Sequence, residues 1–165
     1  MQLTAHTDYG LRVLIYLTLH PDRLVTINEL AAFFAISKNH LVKVVHNLGL
    51  KGFVRTVRGK GGGICLAAPA EKISVGSVVR ELEGHFQMAE CFNPNKQGLC
   101  ALQPECGLTS LLSNAVGQFL RVLDGAVLSD LLPEGRLAGS MLAIDAGAAA
   151  TPDHAGVKPG FAAGR

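Results

Sequence analysis

The chain has 165 residues, enough for one domain with a short appendage. Residues 1–68 hold eight Lys or Arg and three Asp or Glu, a balance of +5, while residues 69–165 hold seven and ten, a balance of −3. A basic N-terminal half indicates a polyanionic partner, and because no apolar run reaches the roughly 20 residues of a membrane span, an integral membrane protein is excluded.

The N-terminus and the cysteines indicate a compartment and a chemistry. Met1-Gln2-Leu3 is not a basic leader, and no small-residue cleavage site follows it, so we expect a cytosolic (cytoplasmic) protein. In that compartment the four cysteines favour metal binding or redox chemistry over structural disulfides.

A first helix is predicted over residues 7–20, where apolar residues recur at helical spacing before Pro21 ends the pattern. Asp8 lies near its start, where a negative charge is favourable against the helix dipole, and Arg12 follows one turn later. From the residues alone, Asp8 is therefore a helix charge with a possible ion-pair partner.

Two further helices follow and form a helix-turn-helix over about 26–49. Thr26 begins a capping box before a short helix over 27–34. Ser37 caps the next helix, and Gly49 is placed where a helix C-terminal cap belongs. The apolar stripe of this helix consists of Leu41, Val44, Val45 and Leu48.

A β-ribbon is predicted after these helices. The segments 53–58 and 64–66 read as strands around a turn rich in glycine. A basic ribbon after a helix-turn-helix is typical of a wing, here about 52–67. With a fourth helix over 74–83, the predicted fold class is mainly α with a small β-wing. Residues 1–83 then form a winged helix-turn-helix domain.

The rest of the chain divides into three segments. Residues 84–107 lack helical periodicity and contain three of the four cysteines. Residues 108–132 are predicted to form a long dimerisation helix, because apolar residues recur at steps of four and three to about Leu128. This stripe consists of Leu108, Leu112, Ala115, Phe119, Val122 and Ala126. In residues 133–165 Ala, Gly and Pro supply 18 of 33 residues, so we expect a disordered tail.

DNA contacts are predicted on the polar side of the third helix and on the wing. Long donors there can reach phosphates, and amides or hydroxyls can reach base edges. The predicted contacts are Asn28, Ser37, Lys38, Asn39, His40, Lys43, His46, Arg55, Arg58, Lys60 and Gly61. The alternative is a solvated amphipathic helix beside a hairpin, but the order of elements within the basic half favours DNA.

Cys91, Cys100 and Cys106 lie in the irregular segment with eight and five residues between them. The spacing matches neither paired C-x-x-C zinc sites nor the ferredoxin run, and three thiolates leave one ligand missing. An exchangeable fourth ligand would suit a sensor, while three unrelated thiols are the alternative. Cys65 lies on the ribbon, where we expect a small buried side chain rather than a ligand.

These features together resemble the iron–sulfur winged-helix regulators of the NsrR and IscR type. The resemblance covers about residues 1–132 and rests on the glycine wing, the three late cysteines and short helical segments. These segments are Leu3-Thr4, Asp8-Tyr9-Gly10-Leu11-Arg12, Glu29-Leu30-Ala31, Ile36-Ser37, Leu41-Val42-Lys43-Val44 and Phe119-Leu120-Arg121-Val122-Leu123-Asp124.

The resemblance implies a 4Fe-4S or 2Fe-2S cluster held by Cys91, Cys100 and Cys106. In some members of the nitric-oxide-sensing branch an N-terminal Asp of the other subunit completes the cluster, and Asp8 occupies that position here. The other branch uses a His three residues after the last Cys, where this chain has Thr109, so the nitric-oxide-sensing branch is favoured. The gap between the first two cysteines is longer than usual for the family, which leaves the path of the loop open.

The implied function is a homodimeric repressor that binds a palindromic operator and releases it when nitric oxide reacts with the cluster. One alternative keeps the fold and DNA binding but senses cluster status, iron, zinc or thiol oxidation. A second alternative, from another class, is a cluster-bearing electron carrier or enzyme. The sequence shows no nucleophile–base pair that would support an enzyme.

Overall fold

The computed structural model describes residues 2–132 except 97, 99, 103 and 104, so the predicted tail at 133–165 lies outside the described residues. The helices are α1 (Ala5–Leu19), α2 (Ile27–Phe34), α3 (Lys38–Leu50), α4 (Val75–Leu82) and α5 (Gly107–Asp124), and the strands are β1 (Val54–Val57) and β2 (Gly63–Leu66). Short 3-10 turns occupy Ala70–Lys72, Glu90–Phe92, Pro94–Lys96 and Leu128–Leu131. The predicted fold class, mainly α with a small β-wing, is confirmed.

Helices α1, α2 and α3 enclose the core of the N-terminal domain together with the wing. The largest fully buried side chains are Leu14, Leu17, Leu30, Leu41, Leu48, Ile64 and Leu128. Thr26 and Ser37 cap α2 and α3 as predicted, since their hydroxyls accept from the N–H groups of Glu29 and His40. Burial of one apolar face of each helix therefore holds the helix-turn-helix together.

Two turns have left-handed residues, and one of them corrects the sequence prediction. Helix α3 continues to Leu50, so the cap predicted at Gly49 is wrong, and Gly52 instead takes a left-handed conformation with φ +77°. The turn between α2 and α3 places Ala35 at φ 53°, a region in which a non-glycine residue is disfavoured by about 1–2 kcal/mol. Ile36 next to it is buried, which holds the turn in place despite this strain.

The wing is an antiparallel pair in which Val54 lies opposite Leu66 and Val57 opposite Gly63. Ile64 also exchanges backbone hydrogen bonds with Val25, at 2.8 and 3.0 Å, in the segment before α2. The wing is thus anchored to the helix-turn-helix. Its turn requires glycine at Gly59, where φ is +105°.

The start of α1 is attached to the end of α4. Thr4 caps α1, so the helix begins at Ala5 rather than at the predicted residue 7. The N–H and hydroxyl of Thr4 donate to Glu83 Oε2 at 3.1 Å each, and the hydroxyl of Thr7 donates to the same oxygen at 2.6 Å. Burial raises the pKa of Glu83, but these hydrogen bonds outweigh it and the pKa lies below its ordinary value. A charged Glu83 therefore fastens the start of α1 to the end of α4. Glu83 itself immediately precedes the cysteine-containing segment, residues 84–107.

Helix α5 is shorter than predicted and attached at its C-terminal end. It ends at Asp124, and Leu128 lies in a separate turn, fully buried in the N-terminal core. Asp124 forms a two-point ion pair with Arg80 of α4, with 2.6 Å between Nη2 and Oδ2. The N–H of Val75 donates to the carbonyl of Ala126 at 2.9 Å. Residues after 124 therefore belong to the winged domain and do not extend the long helix.

The carboxylate of Glu29 has a strongly lowered pKa. Hydrogen bonds from Arg23, opposed by burial and assisted by Tyr16, lower its pKa to about 2 from 4.5. The Tyr16 hydroxyl donates to Oε1 at 2.8 Å, and Arg23 Nη1 donates to Oε2 at 3.0 Å. Because the folded-state pKa is the lower one, this stabilisation is complete above about pH 4.5 and is lost as the pH falls toward 2.

We expect Glu29→Gln to lower the free energy of unfolding at pH 7 by about 1–2 kcal/mol, after allowance for the half-exposed Arg23. The difference from the unmodified protein should shrink as the pH falls below 4.5. Urea unfolding at neutral and acidic pH measures this, with the exposed Glu71→Gln as control. A difference that stays constant with pH would contradict the assignment.

Candidate DNA-binding surface and cysteine site

The predicted recognition residues lie on one exposed side of α3. The side chains of Lys38, Asn39, His40, Lys43 and His46 are all exposed, whereas Leu41, Val44, Val45 and Leu48 of the apolar stripe are buried. The hydroxyl of Ser37 accepts from the N–H of His40 at 3.4 Å and remains at the surface. The structure therefore places the basic and amide side chains where a DNA groove can reach them.

A groove of about 280 Å³ joins this helix to the wing. Asn28 from α2, Lys38 from α3, and Thr56 and Gly62 from the wing line it. The wing tip beyond it presents Arg58, Lys60 and Gly61, which are exposed. Two of the predicted contacts, Asn28 and Lys38, thus line one concave surface together with the wing.

Arg55 lies on the other face of the ribbon. Its Nη2 is 3.8 Å from Sγ of Cys65, and both residues line a second groove of about 490 Å³ with Leu17 and Pro69. This placement does not favour the DNA contact predicted for Arg55. Cys65 is half-buried, so the expectation of a buried side chain is wrong, since its strand is open on that face.

Two of the three late cysteines lie beside the first turn of α5. Sγ of Cys91 is 3.7 Å from Oγ1 of Thr109. Cys106 is the residue before α5, and hydrogen bonds from the N–H groups of Leu108 and Thr109, with a smaller one from the Thr109 side chain, lower its pKa despite partial burial. Thr109 therefore lies beside both thiols, and the N-terminus of α5 favours the anionic form of Cys106.

Cys100 is exposed in the same segment. Within the part of the chain that the structure describes, no group of three or more Cys, His, Asp or Glu side chains is positioned to hold one metal ion. Cys91 and Cys106 thus share Thr109 as a neighbour, and the described structure does not gather all three cysteines into one metal site. The donor chemistry still fits, because iron–sulfur clusters take thiolate ligands and the amides at this helix N-terminus stabilise anionic sulfur.

Asp8 pairs with Arg12 of its own helix, with 2.9 Å between Oδ2 and Nη2 and 3.1 Å between Oδ1 and Nε. About half of each side chain is exposed. Asp8 lies one turn from the Thr4–Glu83 contact. It is thus a surface carboxylate that already has one cationic partner.

Two contacts involve residues that the sequence prediction missed. Nε2 of His6 lies 2.9 Å from the amide nitrogen of Asn47, which links α1 to the recognition helix. Thr4, with Thr7 and Glu83, forms the second contact. Thr4 could have been found as a helix cap, but both contacts join residues at least 41 positions apart and leave no local sequence signal.

The fold and these surfaces define a winged-helix regulator, and the comparisons agree. The family model for Rrf2, described as an iron-dependent transcriptional regulator, matches residues 3–134. The chain belongs to this family. It is therefore a DNA-binding transcriptional regulator and not an enzyme.

Similar proteins of known sequence or structure support this assignment. The HTH-type transcriptional regulator NsrR of Bacillus subtilis is 48% identical over 133 residues, covering 80% of this chain and 90% of that protein. NsrR of Halalkalibacterium halodurans is 44% identical over 133 residues, with coverage of 80% and 90%. The oxidized form of Staphylococcus aureus CymR has a TM-score of 0.61 at 28% identity, covering 78% of this chain and 93% of that chain. T. potens IscR, with a TM-score of 0.63 at 22% identity and coverage of 83% and 96%, shares the fold.

Among the described residues, no helix is long and apolar enough to span a membrane.

Proposed function

We propose that this chain acts as a homodimeric repressor that senses nitric oxide through an iron–sulfur cluster and releases a palindromic operator. The observation that carries the proposal is that Cys91 and Cys106 both lie beside Thr109 at the N-terminus of α5, in a chain that also presents an exposed basic face on α3. The similarity to NsrR proteins supports the nitric-oxide branch.

DNA binding is assigned to α3 and the wing. With α3 in the major groove, Lys38, Asn39 and His40 approach the base edges at its N-terminal half, while His46 lies further along the helix. Arg58 and Lys60 at the wing tip reach the flanking phosphates or the minor groove. Asn28 and Lys38 line one groove, which supports contact of the first turns of α2 and α3 with the same DNA segment.

Dimerisation is assigned to α5. Its 18 residues include none that is buried within the described chain, and the side chains of Leu108, Leu111 and Val122 are 56%, 65% and 74% exposed. A helix with a continuous apolar stripe of this kind requires a partner surface. A second copy in a parallel or antiparallel pairing would cover it and place two recognition helices on one palindrome.

The cluster would be held by Cys91, Cys100 and Cys106, with Asp8 of the partner subunit as the proposed fourth ligand. When bound, it would supply iron, the atom with which nitric oxide reacts. The chain's own residues transmit the state of this segment. Glu83 immediately precedes the segment and holds α1 at Thr4, and α1 in turn contacts Asn47 of the recognition helix through His6. A shift of the segment that draws Glu83 away therefore loosens α1 against α3.

Titration with nitric oxide tests this function. Anaerobically purified protein would be mixed with a duplex that it selected from a randomised library, and absorbance and DNA binding would be recorded on the same sample. We expect the chromophore to bleach and the complex to dissociate in parallel. Dissociation without an iron–sulfur chromophore would instead favour the thiol-sensing alternative. The observation that supports this alternative is the lowered pKa of the half-exposed Cys106 thiol beside the N–H groups of Leu108 and Thr109.

Arg58→Ala should weaken binding to selected and scrambled duplexes alike if Arg58 acts on the phosphates, which every sequence shares, and not on base edges in the minor groove. The slope of log K against log salt should become shallower by about one unit. Fluorescence anisotropy over a series of salt concentrations measures both effects. Arg55→Ala removes the same charge from the opposite face of the ribbon and should change the slope less. Equal slopes for the two variants would contradict the placement of the wing on DNA.

A further inference from the structure

A small cavity lies between the first turns of α1 and the recognition helix. Its volume is about 140 Å³, and its lining residues are Ala5, His6, Tyr9, His40, Lys43 and Val44. We propose that this cavity binds a phosphodiester group of the DNA backbone, held by Tyr9 and His6 of α1 together with Lys43 of α3. The proposal rests on the proposed DNA-binding function and assigns part of it to α1, an element outside the helix-turn-helix and the wing.

The chemistry of the lining suits an anion. Lys43 is exposed and makes no ion pair with any residue that the structure describes. The lining contains no carboxylate, while Tyr9 contributes a hydroxyl and His6 and His40 contribute imidazoles. Hydroxyls, imidazoles and ammonium groups are the side chains that proteins place on phosphate oxygens. An anion entering this cavity therefore meets several donors and no like charge.

The position of the cavity suits the DNA backbone rather than the bases. A helix with its side chains is about 10–12 Å across and the major groove about 12 Å wide, so the flanks of a recognition helix meet the phosphate walls. Helix α1 packs along one flank of α3, where the His6–Asn47 contact is 2.9 Å long and the rings of Tyr9 and His40 lie 6.4 Å apart. A phosphate that borders the groove would pass over this flank.

The side chain of His6 is held in place before DNA arrives. The amide of Asn47 contacts Nε2 of His6, so the imidazole is oriented by the recognition helix itself. Since α1 is also fastened at Thr4 and Thr7 by Glu83, a phosphate bound at this cavity would connect DNA to the helix that the cysteine-containing segment controls. Release of Glu83 would then displace a DNA contact directly.

A neutral-phosphate scan tests the proposal. Each phosphate of the selected duplex is replaced in turn by a methylphosphonate, and affinities are measured for the unmodified protein, Tyr9→Phe and Lys43→Ala. We expect one phosphate beside the major groove whose neutralisation weakens the unmodified protein about tenfold. Tyr9→Phe should bind about fivefold more weakly than the unmodified protein on selected and scrambled duplexes alike, and should lose less when that phosphate is neutralised.

The controls separate this proposal from the proposed function. Lys72→Ala removes an exposed cation outside the cavity and should bind like the unmodified protein. His6→Gln provides a second variant of the cavity should Tyr9→Phe fold poorly. Neutralising the same phosphate should cost this variant less affinity than it costs the unmodified protein. If both cavity variants match the unmodified protein at every phosphate while Arg58→Ala weakens binding, the proposal is overturned and the DNA-binding function stands. If the unmodified protein binds no duplex, the proposed function itself fails.

Discussion

Replacement of Cys91 or Cys106 by Ala should abolish retention of the iron–sulfur cluster, whereas Cys65→Ala should retain it. Cys91 and Cys106 both lie beside Thr109 at the start of α5, so each substitution removes a sulfur ligand from the same location. Cys65 lies on β2 beside Arg55, on a different element. Anaerobic absorbance with iron and sulfide analysis measures retention, and we expect the chromophore to vanish entirely in the first two variants.

Two further variants sharpen the ligand assignment. Cys100→Ala should also lose the chromophore, because only two thiolates would remain. Asp8→Ala removes a weak oxygen donor, so the chromophore should persist with an altered spectrum and an altered rate of reaction with nitric oxide. Circular dichroism confirms folding of each variant. Loss of the chromophore in Cys65→Ala with retention in Cys91→Ala would show that the ligand assignment is wrong.

The local elements of the fold were predictable because their signals are contained in short stretches of sequence. The capping residues Thr26 and Ser37 and the apolar stripe of α3 fixed the helix-turn-helix, and the glycine turn fixed the wing. Errors arose where one residue decides an end. Gly49 was predicted as the end of α3, but the helix continues to Leu50 and the left-handed residue is Gly52.

The candidate site was predictable only as a set of residue types. Exposure of Lys38, Lys43 and His46 followed from helical periodicity, since each lies opposite the buried stripe. The side of the ribbon on which Arg55 lies depends on how the strands pack against α1, which periodicity alone does not specify. The Glu83–Thr4 contact joins residues 79 positions apart, and such long-range pairs leave no spacing pattern in one sequence.

The attachment of α5 illustrates the same limit. The heptad-like stripe predicted a long dimerisation helix over residues 108–132, but the helix ends at Asp124. The chain turns there because Asp124 is engaged by Arg80 and Ala126 by Val75, so that Leu128 enters the core of the winged domain. Helix α5, the proposed dimerisation helix, is consequently held at one end by the winged domain.

Gly76→Ala should break this attachment. A Cβ at Gly76 would overlap the carboxylate of Asp124 and lie 2.8 Å from its backbone nitrogen, and a backbone atom cannot move aside as a flexible side chain can. We expect the free energy of unfolding to fall by about 2–3 kcal/mol, as in other overpacked sites. Gly84→Ala is the matched control, because nothing lies within 4 Å of a Cβ there and its effect should be near zero.

The same substitution should separate dimerisation from operator recognition. The exposed apolar residues Leu108 and Leu111 lie at the other end of α5 from Asp124 and remain available to a second copy, so sedimentation should still report a dimer. The two winged domains would lose their fixed spacing. Affinity for a full palindrome should therefore fall more than tenfold, while affinity for a single half-site stays within about twofold of the unmodified protein. Equal losses on both duplexes would place the damage inside the winged domain and would contradict a role for the Gly76–Asp124 contact in holding two half-site readers in register.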